Sequence, residues 1–352
     1  MNAEKQDIPA GTEPASDKKA ARRNRFGGPG AVKVGLIVIV LAALVLAGLG
    51  LWWSMQPHKF DVAENAKDIL GELGQDADAK SAPPGTATVA AAVQVAQTLL
   101  DKPGGYLQND MTPPGILMDN MPSWEYGVLT ELRDSVRALR NDFSRSQTQS
   151  IENEELKQAD SEFNFDSEAW VLPSAENEYR QGVEALKEYL SELAGGRDPN
   201  ARFFARADNL AAYLAVVEKR LGSYGQRLAA SVGDAELTAA LGGGQPVPVM
   251  DRTPWNEIDD VFYEARGYSW ALLHMLKALA LDFGGVLQDK NAEVSMQQVI
   301  RDLEQATVRK WSPIVLNGHG FGTLANHSLV LASYMARANA AVLDLRALLQ
   351  RG

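Results

Sequence analysis

The sequence predicts an all-α protein, with an N-terminal transmembrane helix followed by a multi-helix bundle. Three observations carry this. An apolar run from Val34 to Trp53 contains no charged residue, and at ~1.5 Å per residue it covers the ~30 Å hydrocarbon core of a bilayer. Beyond it, apolar residues recur at intervals of three and four, the period of a helix with one buried face. No segment shows the sustained two-residue alternation between hairpin turns that a sheet would need.

Residues 1–33 are polar, punctuated by Pro9, Gly11, Pro14, Gly27 and Pro29, and read as a disordered tail. Lys18, Lys19, Arg22, Arg23, Arg25 and Lys33 crowd the N-terminal flank of the span, and Trp52 and Trp53 close its other end. The positive-inside rule places that tail in the cytoplasm, with the tryptophans at the opposite interface. The rival reading, a cleaved secretory signal, fits poorly: the run is too long, and tryptophans stand where small residues before a cleavage site belong. Residues 34–54 are therefore taken as an uncleaved span with the lipid bilayer as its partner. Ala43 and Ala47 alone give the small-residue spacing of a helix-dimer face, so a homo-oligomer is compatible with the span without being required by it.

Residues 55–85 are expected to form a linker, with a short helix over Phe60–Leu73 and a tether from Gly74 to Gly85 containing Pro83 and Pro84. The outer helical domain then covers 86–352. Its seams include Leu129, Leu132, Val136, Leu139 and Phe143, then Tyr179, Val183, Leu186, Leu190 and Leu193. Three longer seams follow, from Phe203 to Leu228, from Ile258 to Val286, and from Leu324 through His327 and Leu331 to Leu348. Seams of this period favour bundle packing.

Of the net charge of −11, residues 1–33 hold +3 and the outer portion −14. An acidic exterior without a basic stripe argues against nucleic acid, whose affinity rests on neutralising phosphates. Cysteine is absent, which excludes disulfides, thiolate catalysis, Cys-ligated zinc and iron–sulfur clusters. The core alone must hold the outer domain.

Two stretches of the domain look alike. Met121-Pro-Ser-Trp124 opens one helix and Thr253-Pro-Trp255 another; Gln181 to Leu186 resembles Gln298 to Leu303, and Leu210 to Ala215 resembles Leu331 to Ala336, in the same order. This reads as two related three-helix units, over 120–232 and 252–350, divided by Gly242–Pro248; the alternative is shared amphipathicity.

The segments Asp101-Lys-Pro-Gly-Gly-Tyr106-Leu-Gln-Asn-Asp110, Pro113 to Tyr126, Arg197 to Arg202 and Ala325-Asn326-His327-Ser328 resemble those of an uncharacterised proteobacterial single-pass inner-membrane family, a domain of unknown function, over most of residues 34–350. The resemblance implies an envelope protein with a periplasmic domain, and it brings no catalytic residues with it.

Two groups of residues invite a chemical reading. His319, in the glycine-rich turn Asn317–Gly322, and His327 precede or open a helix expected to start at Thr323, where free backbone N–H groups could hold an anion; a structural turn with a hydrogen-bonded histidine is the plainer account. The loop Gly104–Gly115, with Tyr106, and the helix start at Trp124 and Tyr126 could line a groove for a ligand. The candidate interaction surface is therefore Tyr106, Trp124, Tyr126, His319, Asn326 and His327. Glu257, Asp260 and Glu264 share a helical face and could pair as carboxylates, yet an acidic first turn answers equally to the helix macrodipole. Asp134, Arg137 and Arg140 read as surface charge. No Glu-x-x-His pair supplies a dimetal site, so no metal or cofactor is expected. Three functions remain open: a non-catalytic membrane-anchored scaffold or adaptor binding envelope proteins, which the absence of a catalytic constellation favours; a ligand-binding or sensory domain; and an envelope hydrolase using paired carboxylates.

Overall fold

The computed structural model describes residues 29–75, 82–145, 152–196, 200–232, 252–310, 312, 314–318 and 323–351. The basic tail to Gly28, the Gly242–Pro248 divider and His319 lie outside the described residues. The chain forms two compact units, Met1–Leu49 and Gly50–Gly352.

Helix α1 (Pro29–Trp53) runs through the first unit and ends in the second. Its segment Val32–Trp53 contains an 18-residue window of mean hydropathy 2.9, none of it buried. Among the described residues it is the one helix long and apolar enough to cross a membrane.

The second unit is helical throughout: α2 (Val62–Glu72), α3 (Thr86–Asp101), α4 (Asn120–Ala138), α5 (Glu154–Phe163), α6 (Ala175–Gly195), α7 (Ala207–Ala229), α8 (Ile258–Asp282), α9 (Gly284–Asp289), α10 (Glu293–Ala306) and α11 (His327–Gln350). No strand occurs among the described residues, and one isolated bridge joins Asn317 to Asn326. The all-α class thus follows the periodicity. Helix α2 starts because the Asp61 carboxylate accepts from the N–H groups of Ala63 and Glu64, each at 2.9 Å. Its Val62, Ala66, Ile69 and Leu70 join the core, so the short helix expected within the linker packs as part of the folded body. Helix α3 is buried all round, as its alanine-rich sequence permits. The Asp282 carboxylate, at the far end of α8, holds its first turn by accepting from Thr88 N (2.7 Å) and Thr88 Oγ1 (2.6 Å).

Two helix pairings dominate the interior, α4 with α8 and α7 with α11. Helices α4 and α8 run parallel: Ser123 meets Asp260, Gly127 meets Glu264, and Trp124 lies against Gly267. Glycines make this approach possible, since a Cβ on Gly267 would lie 1.9 Å from the Trp124 carbonyl oxygen and one on Gly127 2.0 Å from that of Glu264. The two trios compared in the sequence do not keep the same neighbours. Helix α10 packs on α8 and α11, whereas its counterpart α6 packs on α3 and α5, so the internal likeness does not extend to the packing of a repeated unit.

Charges that read as surface residues are partly interior. Asp134 is 4% exposed and accepts from Arg220 at 2.6 and 3.1 Å. Arg140 bonds Glu152 at 2.5 Å and Asp160 at 2.7 Å. Arg137 alone of the three is half exposed. Spacing along α4 could not show this, because α7 covers the face that carries Asp134. Glu131 is fully buried there, bonded by the Tyr213 hydroxyl, and burial, then the neighbouring Asp134, pushes its carboxyl up to about 8.

Candidate functional site: a cationic cavity in the helical body

The chain leaving α1 does not hang free. Phe60 stacks on the His274 ring, centroids 4.0 Å apart and planes 12° from parallel, and its N–H donates to His274 Nε2 at 3.2 Å. The other ring nitrogen, Nδ1, lies 2.7 Å from the Trp270 carbonyl, which can only accept, so Nδ1 carries the proton. Burial lowers this imidazole to about 4, keeping it neutral and the arrangement fixed. His274 was no candidate in the sequence. It sits mid-helix in an apolar run, and its partner is 214 residues away.

Between this exit segment, the N-terminal half of α8 and residues 307–310 lies a cavity of about 630 Å³. Its walls include Gln56, His58 and Lys59 from the exit segment, Tyr263, Arg266 and Trp270 from α8, Trp124 from α4, and Arg309 and Lys310. No aspartate or glutamate lines it. Arg266 is 6% exposed; its guanidinium donates to Gln56 Oε1 at 2.8 Å and to the carbonyls of Ala306 (3.1 Å) and Thr307 (3.4 Å). Among the described residues it is the buried cation with no carboxylate partner, in contrast to Lys102, which pairs with Glu125. Its Nε, Trp270 Nε1 and Gln56 Nε2 are buried donors with no hydrogen-bond partner among the described residues. Unmet buried donors each cost ~1–3 kcal/mol, and all three belong to residues that line this cavity.

A second cavity, about 370 Å³, shares Arg266, Val308 and Lys310 with the first and is lined also by Phe262, His327 and Tyr334. His327 Nδ1 accepts from Leu316 N at 3.0 Å. Burial, then Lys310 and Arg266, lowers its imidazole. The helix it opens begins four residues later than the expected Thr323. Asn326 caps it by accepting from Leu329 N at 2.9 Å, while Gly318 N donates to Ala325 O (2.9 Å) and His327 N to Leu316 O (2.8 Å), holding residues 316–318 alongside 325–327 as extended chain.

The predicted surface residues thus scatter. Trp124 lines the first cavity and His327 the second, while Asn326 is buried as a cap. Tyr106 lines neither; it is buried, its hydroxyl donating to Ser167 O at 3.2 Å and Gln108 Oε1 at 3.0 Å. Its loop is tied down by Glu125, which accepts from Leu107 N and Gln108 N. Tyr126 is exposed on α4. The acidic set on α8 divides as well: Glu264 pairs with Arg227 at 2.5 and 2.8 Å, Asp260 accepts from Ser123 at 3.0 Å, and Glu257 is exposed. No two of these carboxylates face one another across either cavity, and no group of three potential metal ligands occurs among the described residues.

Arg266 and Trp270 escaped the sequence reading because both lie on a helix whose seam is apolar. The one available signal was an arginine next to the seam, one helical turn before a tryptophan. No curated protein and no solved structure matches the chain. The family model that matches, over residues 29–352, is DUF2333, described as an uncharacterized protein conserved in bacteria, and the chain belongs to that family.

Proposed function

We propose that this protein is a membrane-anchored, non-catalytic binding module of the bacterial cell envelope. In this reading α1 spans the inner membrane with its N-terminus in the cytoplasm, and the helical body lies in the periplasm, where it serves as a scaffold for a ligand and for envelope proteins. The basic flank of the span and the terminal tryptophans support the orientation. The observation that carries the binding role is the cavity that follows α1, where three buried donors have no hydrogen-bond partner among the described residues and no aspartate or glutamate is among the lining residues. Its size falls in the range of small-molecule sites, which tend to be apolar with a few convergent polar groups.

The full chain, extracted with its surrounding lipid, is expected to retain a noncovalent ligand seen by native mass spectrometry, and Arg266→Gln to lose it. A chain that retains nothing, with wild type and variant alike, refutes the binding role. For orientation, alkaline phosphatase fused after Gly352 should be active and the same fusion before Met1 inactive; the reverse result refutes the topology.

A further inference from the structure

We propose that the cavity that follows α1 binds the phosphate-bearing head of an anionic organic phosphoester, an inference that rests on the binding role just described. The donors set the charge of the ligand. Arg266 Nε, Trp270 Nε1 and Gln56 Nε2 call for acceptors, and a wall with several cations and no acidic residue calls for an anion. The cations already repel one another. Burial lowers Lys59, Lys310 and Arg266; Lys277 and Arg266 lower Lys59 further, and Arg266 lowers Lys310 further. The nearby acids are engaged, Glu304 by Lys277 at 2.6 Å and, through attraction, by Lys59, with Asp259 acting on Lys310.

Shape separates phosphate from carboxylate. The three unmet donors belong to three side chains on two chain segments, the exit segment and two turns of α8, and each needs an acceptor of its own. A tetrahedral phosphate offers acceptor oxygens in several directions, while a carboxylate offers two in one plane. Size separates an ester from the bare ion. A cavity of about 630 Å³ far exceeds one phosphate, and Met55, Pro57, Trp124 and Val308 supply an apolar side for the organic part.

Position favours a lipid as the source. The first wall residue, Ser54, directly follows the last residue of α1, and Lys59 is six residues beyond it. At ~3.3–3.6 Å per residue the chain places this wall within roughly 20 Å of the helix end, the zone where tryptophans and cationic side chains meet headgroups.

The test uses the full chain in nanodiscs of phosphatidylglycerol or of phosphatidylcholine, released and weighed by native mass spectrometry. One phosphatidylglycerol is expected to remain per chain, and phosphatidylcholine not to. Trp270→Phe, which removes the indole N–H and keeps the ring bulk, should weaken retention about tenfold, with Arg266→Lys showing whether charge without the Nε donor suffices. Circular dichroism checks that both variants fold; should either unfold, Gln56→Leu gives the same reading from an intermediate position. Displacement by glycerol 3-phosphate at equal potency would assign a soluble phosphoester as the source and keep the phosphate chemistry. Equal competition by succinate, which has no phosphorus, overturns the phosphate assignment and leaves the binding role standing. Equal retention of phosphatidylcholine, or unchanged retention in the folded variants, overturns the proposal.

Discussion

Replacing Gly267 with alanine sets two well-defined effects against each other, and the α4–α8 crossing decides between them. Alanine is the better helix former by ~1 kcal/mol, so in an unconstrained helix the change stabilises. At Gly267, however, the added methyl would sit 1.9 Å from the Trp124 carbonyl oxygen, an atom of the α4 backbone that no rotamer change can move. Reaching an ordinary contact of about 3.4 Å requires the helices to part by roughly 1.5 Å, and a gap of 0.5–1 Å already forfeits a quarter to a half of each dispersion contact along the seam. Overpacking costs ~1–3 kcal/mol and occasionally more; a backbone clash belongs at the upper end, leaving the variant destabilised by ~2 kcal/mol. For a domain of this size that lowers Tm by roughly 4–8 °C. Gly71→Ala is the control, since an added Cβ on that exposed α2 position meets nothing within 4 Å, and it should be neutral or stabilising. Gly127→Ala should resemble Gly267→Ala, and the double variant should cost less than the sum, because one separation relieves both clashes. A thermal melt in which Gly267→Ala rises alongside Gly71→Ala would refute the close crossing.

Other expectations follow from single contacts. Glu131, raised by burial to about 8, takes up a proton that the unfolded chain has released above about 4.5, so stability should be full below that pH and fall as pH rises towards 8, with a slope of up to ~1.4 kcal/mol per unit; denaturant midpoints for Glu131→Gln should lose that slope, and a variant that keeps it would show another group responsible. Asp282→Ala removes the cap on α3 and should cost ~1–2 kcal/mol, with early hydrogen exchange at Thr88 as its signature; unchanged exchange there counts against the cap. Leu276→Ala, fully buried in α8, should cost ~2–5 kcal/mol by urea unfolding, and a loss under 1 kcal/mol would deny it a place in the core.

Much of the architecture was legible because helix period is a local property. The seams at Leu129–Phe143 and Phe262–Phe283 became buried faces as spaced. What the sequence withheld is what distant segments do for one another. Asp282 looks like the end of one helix and is in fact the cap of another. Asp134 looks like a solvated charge until α7 brings Arg220 to it. The cavity depends on the same kind of meeting: Gln56 on one stretch and Arg266 and Trp270 on another are ordinary residues until the exit segment packs along α8. Tyr106, chosen for its aromatic loop, turned out to be held by hydrogen bonds inside the body, since a tyrosine in a glycine-rich loop packs as readily as it binds.

The parallel α4–α8 pairing also governs how the chain must be born. Ser123 and its partner Asp260 are 137 residues apart, and Glu218 and Arg346, which link α7 to α11, are 128 apart. At ~5–20 residues per second of synthesis, α4 is completed on the order of ten seconds before the helix that covers its glycine face. Helical proteins rich in local contacts collapse fast; here the interior cannot close until the last helix has been made. For that interval Trp124 and Val128 lack their cover, so a nascent chain should be a target for holdase chaperones and proteases to a degree that its finished, sealed form is not.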